Sequence, residues 1–324
     1  MKAVAYNQYG TQANLHLMDV ERPMPKKDEV LVRILAVSVN SWDWDLVKGE
    51  PLLVRIFGGW WKPKCPILGA DIAGIVESVG SQAKEFKVGD EVLGDIAEAG
   101  FGGFAEYVAV PERLLARKPS ALSFEQAAAL PQAGLLAIQG LRYGKGIQPG
   151  QDVLINGAGG GVGTLALQLA KQKGAIVTCV DLPEKFDLLQ SLGADHLVDY
   201  THTDYTRTGR KYDFILDVTA HRSIFDYHRA LKPNGTFSMI GGAMGGGLLL
   251  QMVILGTLIA LVSNKKLGLM GYRPSREDLD LLASFCVDGK LRCIIDKVFP
   301  LDKTPAAFDY YATGKVKGKI VIVP

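Results

Sequence analysis

The spacing of apolar positions changes character twice along the chain. Over residues 30–39 (VLVRILAVSV), 71–79 (DIAGIVESV), 91–93 and 104–110 (FAEYVAV) apolar residues alternate with others or run together briefly, as short strands do. Pro23, Pro25, Gly49, Pro51, Gly69, Gly80 and Gly89 punctuate this stretch, and predict a small antiparallel, barrel-like domain. Residues 123–141 turn to helical spacing, with Ser123 as N-cap and Ala127, Ala128, Leu130, Leu135 and Leu136 apolar. From 152 onward strands (153–155, 176–180, 196–198, 213–218, 236–240) alternate with helices (164–173, 185–192, 223–231). Such alternation predicts a parallel, doubly wound α/β sheet. The expected organisation is a β domain over 1–121, an α/β domain over 122–264, and a segment over 265–324. That last segment carries an amphipathic helix at 275–288, and its β content suggests a return to the first domain.

Residues 152–181 carry the strongest motif. A buried strand, Val153-Leu154-Ile155, leads into five glycines at 157, 159, 160, 161 and 163, then a helix, a second strand and Asp181. Glycine permits a tight turn and lets a phosphate approach the backbone, while the helix N-terminus attracts an anion. The spacing is Gly157-x-x-Gly160-x-x-Gly163, and Asp181 stands about where a dinucleotide-binding βαβ unit carries its ribose acid. The candidate cofactor contacts are Gly157, Ala158, Gly159, Gly160, Gly161, Val162, Gly163 and Asp181. Thr219, Ile240, Gly241 and Gly242 join them, because ligands of such sheets sit beyond the carboxyl ends of the strands.

Composition narrows the function classes. A length of 324 residues with 48% hydrophobic and 22% charged positions fits two globular domains. A net charge of +2 gives no reason to expect nucleic acid as a partner. Cys65, Cys179, Cys286 and Cys293 form no C-x-x-C pair, and the chain opens directly on a strand-like run, so a reducing cytoplasm is expected. Residues 241–247 (GGAMGGG) read as a flexible loop. The run 248–263 is the most apolar, yet its 16 residues fall short of the roughly 20 a spanning helix needs. A helix buried at a domain or subunit interface is expected there, with peripheral membrane contact as the alternative.

Several stretches together resemble the medium-chain dehydrogenase/reductase superfamily, in its zinc-independent quinone oxidoreductase branch. They are GADIAGIV (69–76), GDEV (89–92), GGFAEY (102–107), Leu130-Pro131, the glycine block 156–171 and LGAD (192–195). The resemblance covers essentially the whole chain and includes alcohol-dehydrogenase-like and plant chloroplast-envelope oxidoreductases. It implies a GroES-like catalytic domain, a Rossmann domain, a nicotinamide cofactor and a homodimer. Zinc-dependent relatives place a cysteine in the loop after the strand ending here at Val39, then a G-H-E segment. This chain has Ser41 and Gly69-Ala70-Asp71 there, and no cysteine cluster between 90 and 115. The five histidines are scattered, with His221 and His228 expected as exposed residues of one helix. A catalytic zinc takes about three protein ligands, so no metal is expected.

Without a metal, an alcohol oxygen lacks a Lewis acid, whereas an activated C=C needs only a hydrogen-bond donor at its carbonyl oxygen. The expected activity is reduction of quinones or α,β-unsaturated carbonyls. An alcohol dehydrogenase or aldehyde reductase, or a weakly catalytic nucleotide-binding protein of regulatory or membrane-peripheral role, is the alternative. Asn40 and Ser41 are candidate donors, and the resemblance puts Asn40 at the nicotinamide; both equally suit the start of a helix at Trp42. Trp44 completes the candidate catalytic set as a wall of a flat site, or else packs in the core. Trp60-Trp61, after Gly58-Gly59, read as a lid. For the cofactor, Asp181 favours NADH. The resemblance instead aligns Lys185 and Tyr200 with holders of a 2′-phosphate, with Lys315 and Lys317 adding charge. Leu182-Pro183 and Leu136 depart from the family pattern of a serine and a threonine. NADPH is favoured narrowly, with NADH open.

Overall fold

A computed structural model describes residues 1–242 and 246–324, without the side chains of Phe57, Leu248, Leu249, Leu250, Val253, Thr257, Ala260 and Leu261. The chain forms two compact units, Met1–Leu135 with Pro274–Pro324, and Leu136–Arg273.

The first unit is built on the strand Glu29–Ser38, whose alternating and continuous apolar residues leave it buried on both faces. It pairs antiparallel with Asp71–Val79, with Tyr107–Pro111 and, at its far end, with Lys319–Val323. The last strand also pairs in parallel with Ile295–Pro300, so the C-terminal segment does return to the β domain. The helix Ser41–Lys48 leaves the central strand directly, which sets its first turn beside the C-terminal strand: the Val39 N–H donates to the Ile320 carbonyl at 3.0 Å.

The second unit is a six-stranded, all-parallel sheet. Its order is His196–Asp199, Ile176–Asp181, Asp152–Asn156, Tyr212–Asp217, Leu231–Met239 and Lys266–Leu269. Val153, Leu154 and Ile155 are fully buried at its centre. Parallel pairing brings every strand's carboxyl end to one edge, and the candidate cofactor residues of this unit follow those ends.

Four expectations need correction. The single helix expected over 123–141 is two, Phe124–Ala128 and Pro131–Leu141, because Pro131 has no N–H and disfavours a helical residue before it. The first boundary falls at 135/136 rather than 121/122, since Phe124–Ala128 packs on the strands Glu29–Ser38 and Asp71–Val79. The second falls at 273/274 rather than 264/265, because Lys266–Leu269 is the sixth parallel strand. His221 precedes the helix Ile224–Ala230, whose N-cap is Ser223, so the two histidines share no helix.

The apolar run forms the helix Gly246–Ser263. One side packs inward through Met252, Leu255 and Ile259. Ile254, Leu258 and Val262, spaced by four, are exposed. No helix among the described residues is long and apolar enough to cross a membrane. Ala243–Gly245 of the expected glycine loop lie outside the described residues.

Candidate active site

The glycine turn is shaped by backbone contacts. Gly157 adopts φ +76°, a left-handed conformation that glycine reaches without strain, and its N–H and that of Ala158 donate to the Val180 carbonyl at 3.0 and 3.3 Å. The turn is thereby hooked onto the neighbouring strand. A Cβ on Gly163 would stand 2.2 Å from the Gly157 carbonyl oxygen, so helix and turn meet only because residue 163 has no side chain. Gly160 caps the helix Gly161–Gln172, whose opening residues Gly161 and Val162 are partly exposed while Gly163 and Ala158 are buried. First-turn N–H groups lack helical partners and sit at the positive end of the helix dipole, which fits a pyrophosphate.

Asp181 does not present a free carboxylate to a ribose. It is 4% exposed; Oδ2 accepts the Gly159 N–H at 2.7 Å, Oδ1 accepts the Leu182 N–H at 2.8 Å, and Lys185 Nζ lies 3.0 Å from Oδ1. Lys185, which the resemblance aligns with a holder of a 2′-phosphate, is 6% exposed and paired with Asp181. The physical reason is the i, i+4 spacing across the turn after the strand, which folds the lysine back over Gly159. Tyr200, on the turn after His196–Asp199, is exposed at the same edge; partial burial raises its phenol, and the Asp181 charge adds to that.

Beyond the next strand, the Thr219 N–H donates to Asp217 Oδ1 at 3.0 Å and its hydroxyl accepts from Asn156 Nδ2 at 3.1 Å. Gly242 (φ +131°) bridges to Ala220, and the Ile240 N–H donates to the Asp217 carbonyl at 2.9 Å. Thr219, Ile240, Gly241 and Gly242 are therefore brought to the glycine turn's own edge. Asp217, fully buried, takes Asn156 Nδ2 at 2.7 Å and the Tyr205 hydroxyl at 3.0 Å, and burial raises its carboxyl. Lys315 and Lys317 belong to the other unit.

That first unit holds a buried polar cluster at the start of the helix Ser41–Lys48. The Asn40 N–H donates to Asp43 Oδ2 at 2.9 Å, and the Gly69 N–H to Asp43 Oδ1 at 2.9 Å, so one carboxylate ties two loops. Asn40 Nδ2 donates to Asp71 Oδ2 at 3.1 Å, while Lys319 Nζ donates to Asn40 Oδ1. Asp71 also accepts Ser38 Oγ at 3.2 Å and the Gln132 N–H at 3.0 Å, and lies 3.4 Å from Lys319 Nζ. All these side chains except Gln132 are at most 6% exposed. Burial pushes Asp71 up to about 6, against the pull of Lys319, and Asp43 up to about 7, against its two backbone donors. Burial lowers the Lys319 ammonium, partly offset by Asp71.

The amide of Asn40 is thus fixed end for end. Lysine can only donate, so it must face the amide oxygen; a carboxylate can only accept, so it faces the NH2. Among the described residues, the second N–H of the Asn40 amide meets no acceptor. Asn40 is the helix N-cap as well (φ −119°, ψ 160°), so its capping and donor readings coexist. Ser41 is exposed and hydrogen-bonds the Tyr311 phenol. Trp44 stacks on Phe308, with centroids 6.1 Å apart and planes 19° apart, and tilts against Tyr311 at 6.2 Å. It fastens this helix to the helix Thr304–Ala312, which is the packing reading of that residue. Trp60 and Trp61 are exposed in the turn after Leu53–Gly58.

Residues 26–120 match the alcohol dehydrogenase GroES-like domain family, and residues 192–322 the zinc-binding dehydrogenase family. The chain is 35% identical to a 2-methylene-furan-3-one reductase of Solanum lycopersicum, over all of this chain and 79% of the relative. The chain belongs to the medium-chain dehydrogenase/reductase superfamily, in its quinone oxidoreductase branch. A second relative in this superfamily, the chloroplastic NADPH-dependent alkenal/one oxidoreductase of Arabidopsis thaliana, is 32% identical over all of this chain and 80% of its own. The solved quinone oxidoreductase of Coxiella burnetii superposes with a TM-score of 0.87 at 28% identity, covering 100% and 99% of the two chains.

In this dehydrogenase/reductase the donor set does not fit zinc, despite the family's description. No group of three or more His, Cys, Asp or Glu among the described residues can hold a metal, and Asp71, in the place of the zinc relatives' G-H-E segment, faces the ammonium of Lys319. A nicotinamide dinucleotide does fit: the glycine cradle leaves no room for a Cβ at Gly163, and two helix-start N–H groups border it at the surface. Reading the sequence missed Lys319 and Asp43 in the first unit's buried cluster, and Asn156 and Asp217 at the parallel sheet's edge. For all but Asp43, a charged or amide residue at the end of an otherwise apolar strand (KIVIV, ILD, VLIN) was the available signal.

Proposed function

We propose that this protein reduces α,β-unsaturated carbonyls or quinones, with NADPH as hydride source. The observation that carries the reading is the pinned Asn40 amide, with one N–H to spare, in a cluster whose cation is a lysine and whose donors do not suit zinc. The names of the relatives, a furanone reductase and an alkenal/one oxidoreductase, support the same substrate class.

Bound reduced nicotinamide supplies the hydride. The protein's residues supply position and charge. The first-turn N–H groups of Gly161 and Val162 would hold the cofactor's pyrophosphate. The spare amide hydrogen of Asn40 meets the carbonyl oxygen as negative charge develops there, and such a preset donor contributes most in a dry site. Lys319 and Asp71 hold that amide against rotation, so the donor is in place before substrate arrives. The test is Asn40→Ala: turnover of an enone falls about 10²-fold or more while NADPH affinity holds. Unchanged turnover would remove Asn40 from the mechanism.

The preference for NADPH rests on Asp181. Both its oxygens are engaged and its charge is met by Lys185, so a ribose hydroxyl would have to displace a partner, and repulsion of a 2′-phosphate is blunted. Lys185 and Tyr200 at the same edge offer positive charge and a hydroxyl, and one relative is named NADPH-dependent. Fluorescence titration of the wild type and Asp181→Ser tests it. Tighter NADPH than NADH in the wild type supports the reading, and NADH preference that reverses in the variant refutes it. A homodimer is supported by the exposed row Ile254, Leu258 and Val262; Leu258→Asp should shift a dimer to monomer in analytical ultracentrifugation. All four cysteines are free, as a reducing cytoplasmic setting would have them.

A further inference from the structure

We propose that Cys286 and Cys293 are a paired modification site, a dithiol that peroxide-class oxidants convert to an intramolecular disulfide. Their spacing in the sequence matches no redox motif; the fold brings them together. The helix Arg276–Val287 ends at Asp288, and Gly289 turns at φ +69°. The Gly289 N–H donates to the Cys286 carbonyl at 3.1 Å, and the Lys290 and Leu291 N–H groups to the Phe285 carbonyl at 2.9 and 3.0 Å. Leu291, 2% exposed, anchors the returning chain. The reversal sets Cys293 Sγ 3.7 Å from Cys286 Sγ.

Two observations make this pair a candidate. Both residues are partly exposed and the turn between them (Val287, Asp288, Gly289, Lys290) is exposed, which gives a small oxidant a path to Cys286, the less buried thiol. The thiols are inequivalent: the shared hydrogen bond favours the thiolate at Cys286 and raises Cys293 well above the usual range. That is the division between an attacking and a resolving thiol. Cys179, by contrast, is fully buried and pushed up by that burial, and Cys65 is raised by burial with no thiol partner.

The chemistry balances with hydrogen peroxide as oxidant. The Cys286 thiolate attacks one peroxide oxygen, the O–O bond breaks, and hydroxide leaves and is protonated to water, giving a sulfenic acid. The Cys293 sulfur then attacks Sγ of Cys286, the S–O bond breaks, and the oxygen departs as a second water carrying the Cys293 proton. Two thiols are oxidised and one peroxide is reduced to two waters. A disulfide bond is about 2.05 Å long, so the sulfurs close by about 1.6 Å, across an exposed turn. The pair adjoins Ile294, whose carbonyl accepts the Lys319 N–H at 2.9 Å, so the new bond would tether the helix next to the strand that carries Lys319.

The test uses the full, reduced chain treated with one equivalent of hydrogen peroxide, blocked with N-ethylmaleimide and digested with trypsin, which cuts after Lys290 and Arg292. The expected result is that the Cys286 and Cys293 peptides appear joined and unlabelled, two hydrogens lighter than their sum, and separate on reduction, while Cys65 keeps its label. In Cys293→Ser, dimedone should trap a sulfenic acid at Cys286 that the wild type does not accumulate. The proposal is overturned if both peptides carry maleimide to the extent of Cys65, if the link joins two chains rather than one, or if wild type and Cys293→Ser give equal dimedone adducts.

Discussion

Lys319→Met removes the ammonium from the buried cluster while keeping most of the side chain's volume. Lys319 is 5% exposed and faces Asp71 Oδ2 at 3.4 Å and the Asn40 amide oxygen. Removing one partner of a buried ion pair costs about 3–5 kcal/mol when the other charge is left behind. Here Asp71 has an escape, because burial has already pushed it up to about 6 with Lys319 present. Without Lys319, whose charge lowers it, the carboxyl rises further and takes a proton near neutral pH. Each pKa unit corresponds to about 1.4 kcal/mol, so the loss should be nearer about 2 kcal/mol at neutral pH. The sign follows. A carboxyl raised above its unfolded value stabilises the fold on the acid side and loses that contribution as pH rises through the folded pKa. The gap between wild type and variant should therefore widen from about pH 6 to about pH 8, by up to about 1.4 kcal/mol per pH unit. Urea unfolding across that range measures it, and enone turnover should fall about 10²-fold as the Asn40 amide loses its fixed direction. A gap that is absent, or unchanged with pH, would refute the claim that Lys319 and Asp71 are a coupled buried pair.

Gly163→Ala places a methyl 2.2 Å from the Gly157 carbonyl and 2.5 Å from Ala158 Cα, both backbone, so the turn must open. NADPH affinity should drop by about tenfold or more, with about 1–3 kcal/mol of stability lost. Gly160→Ala meets only the Gly157 oxygen, at 3.6 Å, and should bind NADPH within a few-fold of wild type in the same titration. Asp43, pushed up to about 7 by burial, stabilises the folded chain when protonated, and that contribution fades from about pH 4 to about pH 7. Asp43→Asn turns an NH2 toward a backbone N–H, costs about 1–3 kcal/mol, and should remove from the variant's own stability the fall with pH that Asp43 gives the wild type over that window, measured by urea unfolding.

The parallel sheet was legible because Val153-Leu154-Ile155, the glycine run and the following helix each state one element, and the period of the apolar residues states the rest. The return of the C-terminal segment was legible from its apolar strand. The domain boundaries were not, because the Phe124–Ala128 helix and the Lys266–Leu269 strand carry local signals that say what they are and nothing about which sheet they join. The site was half legible. Glycines announce a phosphate cradle, since few other uses require that spacing. Asp181 was legible as a strand-end carboxylate suited to a ribose, but its pairing with Lys185 and two N–H groups was not, because the sequence does not show how the turn folds back. Lys319 was invisible as a partner of Asn40, since 279 positions separate them in the chain. The cysteine pair was hidden for the same reason on a smaller scale: the turn at Gly289, not the sequence spacing, makes the contact.

The most direct test of the account follows the hydride itself. Wild-type enzyme is given an enone and NADPH deuterated at the transferring position, and the label is located in the product by NMR. The account predicts deuterium on the β-carbon of a saturated ketone, with the Asn40→Ala variant giving the same product far more slowly. Deuterium on the carbonyl carbon of an allylic alcohol would contradict it, and would make the protein a carbonyl reductase.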